Sequence, residues 1–123
     1  MALALYEELG ESFFVRLVDA FYVGVQASEQ LRAMYPEDLT ESKRHLTLFL
    51  IQYWGGPATY QSERGHPRLR LRHVPFVIDD TARDAWLGAM RAALASLADS
   101  LTALQAQELD AYFVMAAGSL RNA

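Results

Sequence analysis

The chain of 123 residues contains no cysteine. That excludes disulfides, thiolate-held zinc, iron–sulfur clusters and a thiol nucleophile, and it fits a reducing cytoplasm. No uninterrupted apolar run approaches the ~20 residues that a membrane-spanning helix needs. The start, MALALYEELGESFF, lacks the basic opening and long apolar run of a signal peptide. Excess positive charge is missing as well. The formal net charge is -4, so the broad positive field that nucleic acid or an anionic membrane would demand is not there. There is no strand signal, no internal repeat, no low-complexity tract and no linker. These absences leave one soluble domain over residues 1–123, expected in the cytoplasm. Its 52% hydrophobic and 21% charged residues are enough to build a core.

What the chain does have is helical periodicity. After Gly10, the residues Phe14, Leu17, Val18, Phe21 and Val25 recur at i, i+3, i+4, i+7 and i+11, one face of a helix. Ser28 and the Tyr35-Pro36 break bracket a short second piece, because proline disfavours helical geometry in the residue before it. Thr40 is a candidate cap for a helix striped by Leu46, Phe49, Leu50 and Tyr53, which Gly55-Gly56-Pro57 stops. Residues 57–72 show no period and read as an ordered loop with at most a helical turn. Asp79 or Asp80 can cap a long helix carrying Trp86, Met90, Ala93 and Leu97, with Leu87, Leu94 and Leu101 as a second flank. A last helix from about Leu104 shows Leu109, Phe113, Ala116 and Leu120. Four substantial helices, two before the loop and two after it, imply an all-α pair crossed over a pair.

Three groups of residues carry chemistry. The stretch Arg64–Ile78, RGHPRLRLRHVPFVI, gathers Arg64, Arg68, Arg70 and Arg72 around His66 and His73, then turns apolar. His73 at that seam is a candidate metal ligand, since neutral imidazole ligates haem iron; its bland reading is a satisfied core or surface histidine. The arginines have three readings: a grip on haem propionates, a polyanion-binding patch, or a solvated loop. Aromatics interleaved between Arg64 and Arg72, which base stacking would want, are missing. Tyr22, Tyr35 and Trp86 form the third group. They are either large core residues, or donors converging on one small cavity to hold a partly negative diatomic ligand. Elsewhere, Gly55-Gly56 lacks the lysine and hydroxyl of a phosphate loop, and no nucleophile elbow surrounds any serine. His45, His66 and His73 match no familiar zinc spacing.

In order and spacing, these pieces resemble the truncated haemoglobins, and within them the second group. The matching segments run nearly end to end. They are Phe21-Tyr22; Met34-Tyr35-Pro36-Glu37-Asp38; Phe49-Leu50; Gln52-Tyr53-Trp54-Gly55-Gly56-Pro57; Tyr60; Arg64-Gly65-His66-Pro67-Arg68-Leu69-Arg70 with Arg72-His73; Pro75-Phe76; Arg83-Asp84-Ala85-Trp86-Leu87; and Ala116-Ala117. The resemblance implies a truncated globin, a short two-over-two helical sandwich around haem b. It implies His73 as the iron's proximal ligand and Tyr22, Tyr35 and Trp86 as distal donors. Leu46 and Phe49 would line the distal side, with the small Ser42 at the ligand's entry. Tyr60, His66 and Arg72 fall at the propionate edge, with His45 where relatives often carry arginine, and Phe76 falls against the cofactor.

By the same resemblance the function is reversible O2 binding in the oxygen-transport class, with CO, NO, cyanide or peroxide as other ligands. The donor set implies slow O2 release. An alternative is a haem redox enzyme acting on NO, nitrite or peroxide, of the NO dioxygenase or peroxidase kind, with a reductase as partner. A third reading, from a different class, is a colourless helical module binding polyanions through Arg64–Arg72. The expected partners are a diatomic gas and a reductase, with no nucleic acid and no membrane, in a monomer or homodimer.

Overall fold

The computed structural model describes residues 4–66, 68 and 76–122. The described residues form helices and no strands. A first turn of helix, α1 (Leu5–Leu9), leads through Gly10 at φ 80° into α2 (Glu11–Ala27). The short α3 (Glu29–Arg32) is followed by α4 (Thr40–Tyr53) and α5 (Thr59–Arg64). Past the basic stretch come α6 (Asp80–Ser96), a 3-10 turn (Ala98–Ser100) and α7 (Ala103–Leu120).

Local chemistry sets these boundaries. The Ser28 hydroxyl accepts from the Leu31 N–H at 3.3 Å and starts α3. Asp79 accepts from the Ala82 N–H at 2.8 Å and starts α6, the first of the two aspartates anticipated. Thr102 and Gln105 form a reciprocal capping box at the head of α7. Thr40 is not the cap of α4. It is the first helical residue, Leu39 stands at the cap position without a side chain that can accept, and the Asp38 carboxylate, two residues before Thr40, accepts the Thr40 N–H at 2.9 Å.

The anticipated stripe of α2 is the centre of the core: Phe14, Leu17, Val18, Phe21 and Val25 are all buried, joined by Phe13. Helix α2 packs against both α4 and α6, and α7 packs on α6. The α2–α6 crossing is tight at Gly24, where an added Cβ would sit 2.9 Å from the Cβ of Ala89. Helix α4 turns less of its surface inward than its stripe implies. Leu50 and Ile51 are buried, Leu46 and Phe49 only half-buried, and Tyr53 is exposed. The half-buried side chains face a gap between the helix pairs, and that gap is the site.

Among the described residues, no helix is long and apolar enough to cross a membrane.

Candidate functional site

A cavity of about 420 Å³ opens between the two helix pairs. Helix α2 contributes Tyr22; the turn after α3 gives Met34 and Tyr35; α4 gives Ser42, His45, Leu46 and Phe49. Tyr60 and Arg64 come from α5, Phe76 and Ile78 from the approach to α6, and Arg83 and Trp86 from α6 itself. Tyr112, Phe113, Ala116 and Leu120 of α7 make the far wall. Most of these side chains are apolar, and the size lies within the ordinary range for a small-molecule site.

At one end the three aromatic donors meet. The rings of Tyr22 and Tyr35 stand edge to face at 5.5 Å, and Phe21 spaces Tyr22 from Trp86 at 5.1 and 5.5 Å. Burial pushes the Tyr22 hydroxyl far above the usual phenol range, reinforced by Tyr35, while a hydrogen bond from Ser42 opposes the shift. Burial also raises Tyr35, against hydrogen bonds from Trp86 and Tyr22 that pull it down. Both phenols therefore stay neutral at ordinary pH, and Trp86 and Tyr22 donate to Tyr35, which ties the three groups together. Tyr35 is held from outside the cavity. Arg32 donates to the carbonyls of Tyr35 at 3.3 Å, Pro36 at 2.9 Å and Glu37 at 2.8 Å, which fixes the turn on which Tyr35 stands.

The cavity mouth has a different chemistry. Arg64 donates to the imidazole of His45, with 3.0 Å to Nε2, and its guanidinium lies 5.9 Å over the Tyr60 ring. Desolvation and then the Arg64 charge hold the His45 pKa below its ordinary value, outweighing Glu41 at 3.4 Å, so the imidazole is neutral and accepts. Beside it, Arg44 grips Glu63 through two contacts of 2.5 and 2.6 Å, which pins α5 to α4. The Gln52 side chain adds a second pin by accepting the Gln61 N–H at 2.9 Å. On the opposite lip, Asn122 exchanges hydrogen bonds with Ile78 at 2.8 and 2.9 Å and donates to the Phe76 carbonyl at 2.9 Å. The residues after α7 thereby hold Phe76 and Ile78 against the opening.

Nine of the site residues that the resemblance implies share this wall: Tyr22, Tyr35, Ser42, His45, Leu46, Phe49, Tyr60, Phe76 and Trp86. His66 is not among them. It is exposed, and its Nδ1 accepts the Arg68 N–H at 3.3 Å in a local turn. Arg72 and the candidate iron ligand His73 lie outside the described residues. Sequence reasoning missed Arg32, whose work is done on backbone carbonyls, and also Arg83 and Tyr112, which helical spacing could have found: Arg83 stands three residues before Trp86, and Tyr112 three after Leu109 and four before Ala116. Arg64 was visible only as one member of a cluster.

The chain matches the family model described as bacterial-like globin over residues 4–117. It is 47% identical to the group 2 truncated hemoglobin YjbI of Bacillus subtilis over 74% of this chain and 69% of that protein. Among solved structures, a thermostable hemoglobin from Thermobifida fusca superposes with a TM-score of 0.91 at 51% identity, covering 95% of each chain. A truncated oxygen-avid haemoglobin from Bacillus subtilis superposes with a TM-score of 0.89 at 39% identity, covering 95% of this chain and 98% of that one. With the helix order, the cavity between the helix pairs and the triad of aromatic donors, these likenesses place the chain in the bacterial-like globin family, among the group II truncated haemoglobins.

Proposed function

We propose that the cavity holds haem b and that the protein binds O2 reversibly there, releasing it slowly. The observation that carries this reading is the convergence of Tyr22, Tyr35 and Trp86 at one end of an apolar cavity whose mouth bears Arg64 and His45. The donor set fits the group. Haem presents apolar faces and two carboxylates, and the wall offers apolar side chains with an arginine and an accepting or donating imidazole at its opening. Arg64, His45 and Tyr60 would take the carboxylates, and Arg72, outside the described residues, is a further candidate for them. Phe76 and Ile78 would supply apolar contacts to the group, and His73 would supply the nitrogen that holds its iron.

Haem supplies an iron that binds diatomic gases. The chain's own residues decide how long a gas stays. Leu46 and Phe49 keep water from the donor end, and Ser42 is small enough to leave an entry beside them. Trp86 N–H and the Tyr35 and Tyr22 hydroxyls donate to a ligand carrying partial negative charge. In a dry pocket each such charge-assisted bond contributes about 1.5–3 kcal/mol. Two of them slow release by about a hundredfold or more, since ~1.4 kcal/mol is tenfold. That suits capture at low oxygen better than bulk delivery.

The test is the visible spectrum of purified protein supplied with haem in ferric, reduced and CO-bound forms. A sharp Soret band that shifts on CO binding, as histidine ligation requires, supports the reading. A colourless protein that refuses haem overturns it.

A further inference from the structure

Binding of O2 leaves one charged residue of the cavity wall without a task. Arg83 lines the cavity from α6, three residues before Trp86, so the two side chains share a helix face one turn apart. That places a guanidinium beside the donor end, whereas Arg64 belongs to the mouth. The chain carries 15 aspartates and glutamates and a net charge of -4, yet among the described residues that line the cavity there is no carboxylate. The polar groups at the donor end are hydroxyls, an indole N–H and a guanidinium, all able to donate.

How Arg83 is held decides what the cavity feels of its charge. Its Nε donates to the Asp84 carboxylate at 3.0 Å, and Asp80 lies at 3.6 Å. Both carboxylates stand in water, with side chains 67% and 65% exposed, while that of Arg83 is 30% exposed. Asp80 is already taken by Arg121 at 2.7 Å, whose hydrogen bond holds the Asp80 carboxyl below the usual carboxylate range. Asp84 is therefore the partner that competes for Arg83. An exposed pair of this kind is weak and exchanges readily.

We propose that Arg83 makes the donor end selective for small monovalent anions, with Asp84 as the competitor that sets how much of the charge reaches the cavity. This rests on the haem reading, which makes the donor end a ligand site. The partial charge on a bound diatomic gas needs only hydrogen-bond donors. A whole negative charge leaving water for an apolar cavity needs a countercharge as well, and neutral phenols and an indole do not supply one. Arg83 does. An arriving anion draws on a guanidinium whose other partner is exposed, so Asp84 gives up a contact that water replaces. The same charge attracts anions before contact, an effect that falls with ionic strength.

The experiment uses haem-loaded protein in stopped flow, with azide on the ferric form as the anionic probe and CO on the ferrous form as the neutral one. In Arg83→Gln the azide association rate should fall about three- to tenfold at low salt and lose most of its salt dependence, with the CO rate unchanged. Asp84→Asn removes the competitor and should raise the azide rate, again without moving CO. A redox titration adds a reading that needs no added ligand. Loss of a positive charge beside the site should lower the iron's reduction potential in Arg83→Gln, and Asp84→Asn should raise it. An azide rate unchanged in Arg83→Gln, azide and CO rates that fall together, or a potential unmoved in both variants overturns this proposal and leaves the haem reading standing. An azide rate that does not rise in Asp84→Asn overturns the part given to Asp84. A protein that takes up no haem overturns both this and the reading beneath it.

Discussion

At the scale of single residues, the donor end and the mouth of the cavity titrate and bond in opposite senses. Trp86 lines the cavity and is proposed to donate to the bound gas, so Trp86→Phe keeps an aromatic wall while deleting one N–H. The O2 dissociation rate measured by stopped flow should rise about ten- to a hundredfold, the worth of one charge-assisted bond; an unchanged rate removes Trp86 from the donor set. Arg32 acts at one remove. It bonds the carbonyls of Tyr35, Pro36 and Glu37 and never lines the cavity. Arg32→Ala should therefore raise the same rate by less than Tyr35→Phe does, and should add nothing on top of Tyr35→Phe if its whole effect passes through that hydroxyl. His45 behaves as a pH sensor of stability. Its folded pKa lies below the ordinary 6.5, through desolvation and then Arg64, so the native state binds fewer protons than the unfolded one. Stability of the haem-free fold should hold above about pH 6.5 and fall as pH drops from there through the depressed native value. Urea midpoints across that window should show the slope in the wild type, and His45→Gln should flatten it.

At the scale of elements, the α2–α6 crossing is the contact most sensitive to volume. A Cβ on Gly24 would meet Ala89 Cβ at 2.9 Å and its Cα at 3.3 Å, and backbone cannot rotate away as a side chain can. Gly24→Ala gains helix propensity yet should be destabilising by about 1–3 kcal/mol from overpacking, read as a lower urea midpoint with an unchanged slope. A more stable variant would mean that the helices part freely there. The same elements show what the sequence could and could not reveal. Helix α2 was legible residue by residue, because its buried stripe runs unbroken and nothing competes with the 3.6-residue period. Helix α4 was legible as a helix but not in its exposure. Its stripe is divided between core and cavity, so Leu50 and Ile51 are buried while Phe49 and Leu46 meet the gap. Nine wall residues were legible, because the family's order of short motifs carries them. Arg32 and Asn122 were not, since each acts by bonding backbone carbonyls or amides that no side-chain pattern advertises. His66 was named through the resemblance for the propionate edge; it is exposed, and its Nδ1 accepts the Arg68 N–H.

At the scale of the molecule, the cavity divides what would otherwise be one core. Tyr22 and Phe113 belong at once to the packed cluster and to the cavity wall, so the two helix pairs meet in part across open space. Interiors pack densely, and a gap of about 420 Å³ forfeits contacts on every face that lines it. A ligand that fills the gap restores those contacts only in the folded state, so it must stabilise the fold by mass action. At a free haem concentration a thousandfold above its dissociation constant the gain is about 4 kcal/mol. For a domain of this size that is a rise of about 15 °C in melting temperature, at roughly 4 °C per kcal/mol. Calorimetry of the haem-free and haem-loaded protein should show that rise. His73→Ala should lose most of it, while its haem-free melting stays near that of the wild type, because an axial ligand matters only when there is iron to hold. Equal rises in both proteins would show that the apolar walls and the Arg64–His45 lip hold the group without an axial bond, and would move the search for the iron's ligand away from His73.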